Sequence, residues 1–199
     1  METDQFWTLI ADCRRQGLSG DKRDAWLRDA LLLLPPPDVI AFQACLDSVT
    51  GEAFTWNLWA AADRILGGWC SDDAFCSFQQ WMVSLGRPVF EAALTDADVL
   101  AYAPEVLRLS SLPRAAWPAD AWPQWETLSH LAPAAYEQLT GTFDDCGDAF
   151  HAAARTLLAA DSTTRTPPGL TPSGTRWSVL DEPESTRRLP RLTAMFPLP

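Results

Sequence analysis

Between residues 59 and 91 the chain concentrates side chains that could do chemistry. Ser71, Asp72 and Asp73 are consecutive, and two adjacent carboxylates can bind a divalent cation or act as an acid and a base. The same residues also suit the start of a helix, where a serine caps exposed N–H groups and aspartates complement the helix dipole. The run therefore supports two interpretations, a polar site and a helix cap.

Charged and aromatic side chains nearby extend the candidate site. Arg87 and Glu91 are four residues apart, so they can pair on one helical face. An arginine beside carboxylates could instead hold an anionic group through two hydrogen bonds. No residue is assigned a catalytic role. The candidate binding residues are Trp59, Ser71, Asp72, Asp73, Trp81, Arg87 and Glu91.

Both histidines of the chain follow an acidic residue at helical spacing. Glu126 lies four residues before His130, and Asp148 lies three before His151. Helical bundles can hold metals with such pairs, but their motif is Glu-x-x-His repeated, with further glutamates. Only one of the two spacings agrees with that motif. The four residues are weak metal candidates, a solvated charged face is the favoured interpretation, and no metal or other cofactor is expected.

Common catalytic and nucleotide-binding motifs are missing from the sequence. It contains no G-x-S-x-G, no P-loop and no G-x-G-x-x-G. Its five cysteines form no C-x-x-C pair, which favours reduced, mostly buried thiols over a disulfide framework or a zinc ribbon. These observations favour a protein that is not an enzyme.

The charge of the chain is strongly acidic and unevenly distributed. The net charge is −11, with 22 acidic and 10 basic side chains in residues 1–160 and 4 and 5 in residues 161–199. An acidic surface repels phosphate and attracts basic partners, so nucleic-acid binding is not expected. No apolar run is long enough to span a bilayer, and the first residues lack signal-peptide features. A cytoplasmic protein without membrane contact is predicted.

Helical periodicity of the apolar residues predicts an all-α fold. Val39, Phe42, Leu46 and Val49 recur at intervals of three and four, as one helical face requires. Further segments of this kind predict an irregular multi-helix bundle of about seven to nine helices. Residues 1–160 are predicted to form one helical domain.

Two regions lack clear periodicity. Residues 103–123 are proline-rich and are predicted to be a surface linker, and Thr95 with Asp98 just before them resembles a capping pair. Residues 161–199 are predicted to be an extended C-terminal tail that packs on the helical domain. The proposed anchors of that tail are Trp177, Leu189, Leu192 and Phe196.

Several sequence blocks of this chain resemble one protein family. They are Trp56-x-x-Trp59-Ala60-Ala61, Gly67-Gly68-x-Cys70-Ser71-Asp72-Asp73-x-Phe75, Phe78-x-x-Trp81, Gly86-Arg87-x-x-x-Glu91 and Tyr136-Glu137-x-Leu139-Thr140-Gly141. The chain is similar to the bacterial domain-of-unknown-function family 4240. The resemblance implies a helical domain found in bacteria and no established activity. The chain departs from the family pattern at two places. One is Trp69, and the other is Asp63-Arg64, which replaces a more apolar stretch.

Two functional hypotheses follow from these observations. The first is a non-enzymatic helical module whose aromatic groove around Trp56, Trp59 and Trp81 receives a basic or amphipathic segment of another protein. The alternative is a small enzyme, or a ligand- or metal-binding protein, with a polar site around Ser71-Asp72-Asp73. If the polar side chains line one concave pocket, the alternative is favoured. If they are scattered over the surface, the first hypothesis is favoured.

Overall fold

The structure, a computed structural model, describes residues 1–143, 148–160 and 171–198 and is built from helices. The predicted all-α class is confirmed, but the predicted number of helices is too low, since eleven α-helices lie in the described residues. No described helix is long and apolar enough to cross a membrane. The α-helices are α1 (Thr3–Arg15), α2 (Gly20–Leu31), α3 (Pro36–Glu52), α4 (Trp56–Leu66), α5 (Asp72–Ser84), α6 (Arg87–Thr95), α7 (Pro104–Ser110), α8 (Leu128–Thr140), α9 (Asp148–Ala160), α10 (Glu182–Arg188) and α11 (Pro190–Met195).

The chain divides into two compact units. The first unit consists of Met1–Val49 and the described residues from Glu126 to Ala160. Its core is apolar, because the four residues of the predicted face on α3 are all buried. Phe42 of that face packs on Phe6 of α1, with ring centroids 5.1 Å apart.

The second unit consists of Thr50–Trp125 and the described residues 171–198. Its longest helix, α5, begins at Asp72 because the Ser71 hydroxyl accepts a hydrogen bond from the Ala74 amide at 3.2 Å. The predicted cap is therefore confirmed. The buried face of α5 includes Phe75 and Phe78.

The predicted surface linker at residues 103–123 is wrong. Pro104 occupies the first turn of α7, where a missing N–H costs nothing, so this proline starts a helix and does not break one. Trp117 is buried, and its indole N–H donates to the Leu109 carbonyl at 3.0 Å. A segment without helical period can still contribute large side chains to a core.

The predicted extended tail is wrong only in part: in the C-terminal segment, defined here as residues 171–198, residues 171–181 contain no helix, whereas two helices follow. The two helices, α10 and α11, each have a proline in the first turn. Three of the four proposed anchors, Leu189, Leu192 and Phe196, are buried, and Trp177 is half-buried. The first ten residues of the predicted tail lie outside the described residues. The predicted boundary after residue 160 stays a prediction.

Candidate functional site

Ser71, Asp72 and Asp73 lie at the N-terminal end of α5. Asp72 and Asp73 are exposed in the first helical turn, where their charges complement the helix dipole. Partial desolvation, followed by the charges of Asp73 and Asp72, raises the pKa of the nearby Cys76 thiol, although this residue is exposed. The geometry thus fits a capped helix start.

Arg87 and Glu91 lie beyond the other end of α5. Their side chains pair at 2.6 Å on the surface of α6, as their spacing predicts. The 13 residues of α5 span about 20 Å at the normal rise of a helix. The structure therefore does not bring this ion pair together with Ser71, Asp72 and Asp73.

The three tryptophans of the predicted groove have different environments. Trp59 stacks on Phe75 with ring centroids 4.4 Å apart, and Trp56 lies 5.7 Å from Trp59. Trp81 is only 5% exposed and packs on Phe78 at 5.3 Å. Trp81 consequently belongs to the core and not to a surface groove.

The weak metal candidates all lie on the surface of the first unit. Glu126, His130, Asp148 and His151 are each exposed. Over residues 1–143, 148–160 and 171–198, no three His, Cys, Asp or Glu side chains come close enough to hold a metal ion.

A buried cysteine lies beside an aspartate but is poorly suited to nucleophilic attack. The Cys70 amide donates to Asp63 Oδ1 at 2.7 Å, and burial, followed by the charge of Asp63, raises the pKa of the Cys70 thiol. Burial also raises the pKa of the Asp63 carboxyl. Because a nucleophilic cysteine needs a lowered pKa, this pair has a structural role.

That structural role is to shape the turn after α4. The Asp63 carbonyl accepts hydrogen bonds from Gly67 at 3.0 Å and Gly68 at 2.7 Å, while its carboxylate holds the Cys70 amide. Gly67 and Gly68 have φ angles of 111° and 108°, which favour glycine. The turn leaves Trp69 pointing outward, 75% exposed.

Arg64, which the sequence did not mark as a site residue, is fully buried. Its two terminal nitrogens donate to the two carboxylate oxygens of Glu182 at 2.8 and 3.1 Å. It also donates to the backbone carbonyls of Thr193 at 3.0 Å and Val179 at 3.4 Å. The hydrogen bond from Arg64 lowers the pKa of Glu182. One side chain of α4 thereby holds three parts of the C-terminal segment.

Asp98 holds the same segment at a second point. Its buried carboxylate accepts from the amides of Arg191 at 3.0 Å and Leu192 at 2.9 Å, and from the Arg191 guanidinium at 3.0 Å. The predicted Thr95–Asp98 capping pair is wrong, since Asp98 caps the first turn of α11. Asp96 caps the local 3-10 helix, Ala97–Tyr102, instead.

These contacts form what we call the polar joint, which consists of Arg64, Asp98, Glu182, Ser185 and Thr193. Ser185 and Thr193 are buried and share a hydrogen bond of 2.9 Å. Of the five buried polar residues in the described part of the chain, the joint contains four. Its one signal in the sequence was the charged pair Asp63-Arg64, which lies between Ala60–Ala62 and Ile65.

An exposed apolar surface lies next to the polar joint. We call it the Gly68 surface, and it consists of Gly68, Trp69, Leu180 and Leu198. A side chain at Gly68 would meet Leu180 and Leu198 at 3.5 Å, so both leucines lie against its backbone. Leu180 is 71% exposed and Leu198 is half-buried. Exposed carboxylates follow closely in the chain, at Asp72, Asp73, Asp181 and Glu182.

Comparison with known proteins identifies one family. The family model described as "Protein of unknown function (DUF4240)" matches residues 1–138. No curated protein and no solved structure matches the chain.

Proposed function

The chain belongs to the DUF4240 family of proteins of unknown function, and from that premise we propose that it is a non-enzymatic helical interaction module. Its Gly68 surface would bind a basic, amphipathic segment of another protein.

The observation that carries the proposal is the exposure of Trp69 and Leu180. Large apolar side chains rarely lie together in water unless they contact a partner, and tryptophan is enriched among the residues that dominate binding energy. Here Trp69, which follows Gly68 in the chain, is 75% exposed, and Leu180, which lies against Gly68, is 71% exposed. Their burial against a partner would supply a hydrophobic centre for an interface.

The charges near this surface indicate the chemistry of the partner. Asp72 and Asp73 follow Trp69, and Asp181 follows Leu180, whereas the charge of Glu182 is already paired with Arg64. Because complementary charges raise the rate of association and exclude wrong partners, a basic segment fits better than an acidic one. Apolar residues on one face of that segment would meet Trp69 and Leu180, as in helix-in-groove recognition.

Preorganisation of the turn supports the same function. Asp63 holds both ends of the turn through its carbonyl and its carboxylate, so Trp69 is presented by a backbone that is already ordered. A partner would then lose less binding energy to ordering this loop.

The alternative, an enzyme or a ligand- or metal-binding protein with a polar site around Ser71, has weaker support. Ser71, Asp72 and Asp73 are accounted for as a helix cap, and Arg87 and Glu91 lie at the far end of α5. Cys70 is buried with a raised pKa. The acidic residues at the start of α5 instead suit the rim of a docking surface.

The proposal is tested by titrating the full chain with designed peptides in a calorimeter. The probe is an amphipathic Leu/Lys helix of about five turns, compared with a Leu/Glu peptide of the same pattern and with a scrambled Leu/Lys peptide. We expect the basic amphipathic peptide to bind, and added salt to weaken it. Equal binding of the Leu/Glu peptide would contradict the proposal.

Substitution of Trp69 locates the binding site. Trp69→Ala is expected to weaken the Leu/Lys peptide about tenfold or more, as loss of a central tryptophan does in other interfaces. The matched control is Leu33→Ala, which removes an 86% exposed side chain from the first unit and should leave affinity unchanged. An unaffected Trp69→Ala variant would refute the assignment of this surface.

Substitution of Asp72 tests the role of the acidic residues. Asp72→Asn should weaken the Leu/Lys peptide by a few-fold at low salt and less at high salt. Asp21→Asn is its control, because Asp21 is likewise exposed in the first turn of a helix. Equal effects of the two variants would mean that only the total charge of the protein matters.

A further inference from the structure

Two arginines lie over two tryptophan rings near the N-terminal end of α4. The Arg176 Cζ atom is 4.9 Å from the centroid of the Trp56 ring, and the Arg188 Cζ atom is 5.4 Å from that of Trp177. The Oδ1 atom of Asn57 accepts from the Trp177 indole at 3.0 Å and from Arg188 at 3.4 Å. We call these five residues the arginine cluster.

The arginine cluster is one compact group on the surface of the second unit. Trp56 and Asn57 are neighbours in the chain, and so are Arg176 and Trp177. These two chain links connect one arginine–tryptophan pair to the other, so the contacts close into a ring. Asn57 and Arg176 are exposed, and the other three residues are half-buried. A ligand can therefore reach the cluster from solvent.

Stacking on an indole prepares a guanidinium to bind an anion. An arginine that lies on an aromatic face keeps a defined plane, and its N–H groups stay available along the edge of that plane. Less side-chain freedom is then lost when these N–H groups bind a ligand. Both Arg176 and Arg188 have this arrangement.

The cluster contains more donors than its own acceptors use. Within residues 1–143, 148–160 and 171–198, the amide nitrogen of Asn57 has no acceptor and Arg176 forms no ion pair. Arg188 pairs with Glu184, a carboxylate that it shares with Arg187. The amide and the two stacked guanidiniums can thus donate together to a ligand that is rich in acceptors.

The surrounding charges favour a small anion over a large one. Residues 171–198 carry four basic and three acidic side chains, in contrast to the acidic body of the chain. Asp63 is near enough for the charge of Arg176 to lower its pKa, against the larger effect of burial, which raises it. Charges farther away than about 8–10 Å are largely screened at physiological salt. A small anion therefore meets mainly the arginines, whereas a polyanion would extend over the acidic body.

We propose that the arginine cluster binds a small phosphate monoester. A phosphate group has three terminal oxygens that accept hydrogen bonds from several directions, and arginine can bind it through two parallel N–H groups. A carboxylate has two oxygens in one plane and a single charge, so it would satisfy fewer of the donors.

This site goes beyond the proposed function, because it takes a different ligand at a different surface. The arginine cluster lies at the start of α4, and the Gly68 surface lies after its end. The 11 residues of α4 span about 16 Å at the normal rise of a helix. The two sites can consequently be tested separately.

The experiment follows the Trp177 indole N–H of the isotope-labelled full chain by NMR during titration with inorganic phosphate or glycerol phosphate. Trp177→Phe identifies the resonance. We expect it to shift and to saturate with both probes, because this indole donates to Asn57 within the cluster. Acetate at the same ionic strength should give no saturable shift. No saturation with phosphate, or an equal response to acetate, would overturn the proposal.

Substitution of Arg176 tests whether the stacked guanidinium binds the phosphate. Arg176→Gln should weaken phosphate about tenfold or more, because charge-assisted hydrogen bonds are lost. The matched control is Arg108→Gln, which removes another exposed arginine of the same unit and should leave the affinity unchanged. Equal losses in the two variants would mean that only the total charge matters, and the site assignment would be wrong.

Substitution of Asn57 separates binding from folding. Asn57→Asp retains an oxygen that can accept from the Trp177 indole, but it loses the two amide N–H donors and repels phosphate. The new charge lies in the first turn of α4, where it complements the helix dipole. We expect the variant to melt at or above the wild-type temperature while phosphate binding is lost. Phosphate affinity that survives this substitution would contradict the proposal.

Two further measurements define the site and its ligand. Trp69→Ala should leave the affinity for phosphate unchanged, and a loss there would overturn the assignment to the arginine cluster. A short neutral peptide with one phosphoserine should bind no more tightly than glycerol phosphate, and tighter binding would overturn the assignment to a small molecule. A wild-type chain that binds phosphate but not the Leu/Lys peptide would refute the proposed function alone.

Discussion

The core of the first unit and the polar joint of the second hold their helices together by different means. In the first unit, α1 and α3 meet through rings such as Phe6 and Phe42, which contribute through the apolar area they remove from water. In the second, Arg64 and Asp98 add directed hydrogen bonds to the burial of apolar side chains such as Leu192. Apolar contacts in the core still stabilise the fold when helices shift slightly. Hydrogen bonds in the polar joint require one arrangement of the helices.

The difference also affects what happens when each region opens. Each large apolar side chain exposed from the core costs roughly 1.5–3 kcal/mol. The charges of the joint regain hydration, so much of what they lose on opening is recovered. The comparison predicts that truncation of a side chain in the apolar core costs more stability than truncation of one in the polar joint.

The largest expected effect is in the apolar core. Phe42→Ala should destabilise the chain by about 3–5 kcal/mol, because it removes a fully buried ring and leaves a cavity. Urea unfolding measures the loss, with Leu33→Ala as a near-neutral control. A loss of unfolding free energy below about 1 kcal/mol would show that the core can repack around the cavity. The core would then be no more sensitive to substitution than the polar joint.

The next effect is at the joint. Arg64→Ala should cost about 2–4 kcal/mol, since it leaves the carbonyls of Val179 and Thr193 without a donor. Arg64→Met retains most of the side-chain volume and separates packing from hydrogen bonding. If the methionine variant melts at the wild-type temperature, the directed bonds contribute no stability and their role is only to define geometry.

A smaller effect is expected where α5 begins. Ser71→Ala should lower the free energy of unfolding by about 1 kcal/mol, the usual value of a lost helix cap. Ser71→Asn should restore most of it, since asparagine caps equally well. Failure of Ser71→Asn to restore stability would mean that the hydroxyl acts other than by accepting from Ala74.

The smallest effect is at the two aspartates beside that cap. Asp72→Asn and Asp73→Asn should each cost at most about 1 kcal/mol, and less at high salt, because only the attraction to the helix dipole is lost. Thermal melts at two salt concentrations give the answer. A double variant that is more stable than the wild type would instead indicate that the two carboxylates repel each other. Such repulsion at the expense of stability would favour a polar binding site.

The sequence by itself determined the elements whose signals are local. The spacing of Val39, Phe42, Leu46 and Val49 predicted the buried face of α3, and Ser71 followed by two aspartates predicted the start of α5. Both signals arise within a few residues, because helical periodicity and capping depend only on near neighbours in the chain. The family resemblance, carried by the same local blocks, is confirmed over residues 1–138.

Only the tertiary structure decided the role of the charged residues. The partner of Arg64 lies 118 residues further along the chain, and the amides that Asp98 caps lie 93 and 94 residues away. No spacing rule connects positions so far apart, so Asp98 resembled a local cap and Arg64 resembled a misplaced charge. Trp69 became part of a candidate surface because the fold places Leu180 and Leu198 against Gly68, which the linear order of residues does not encode.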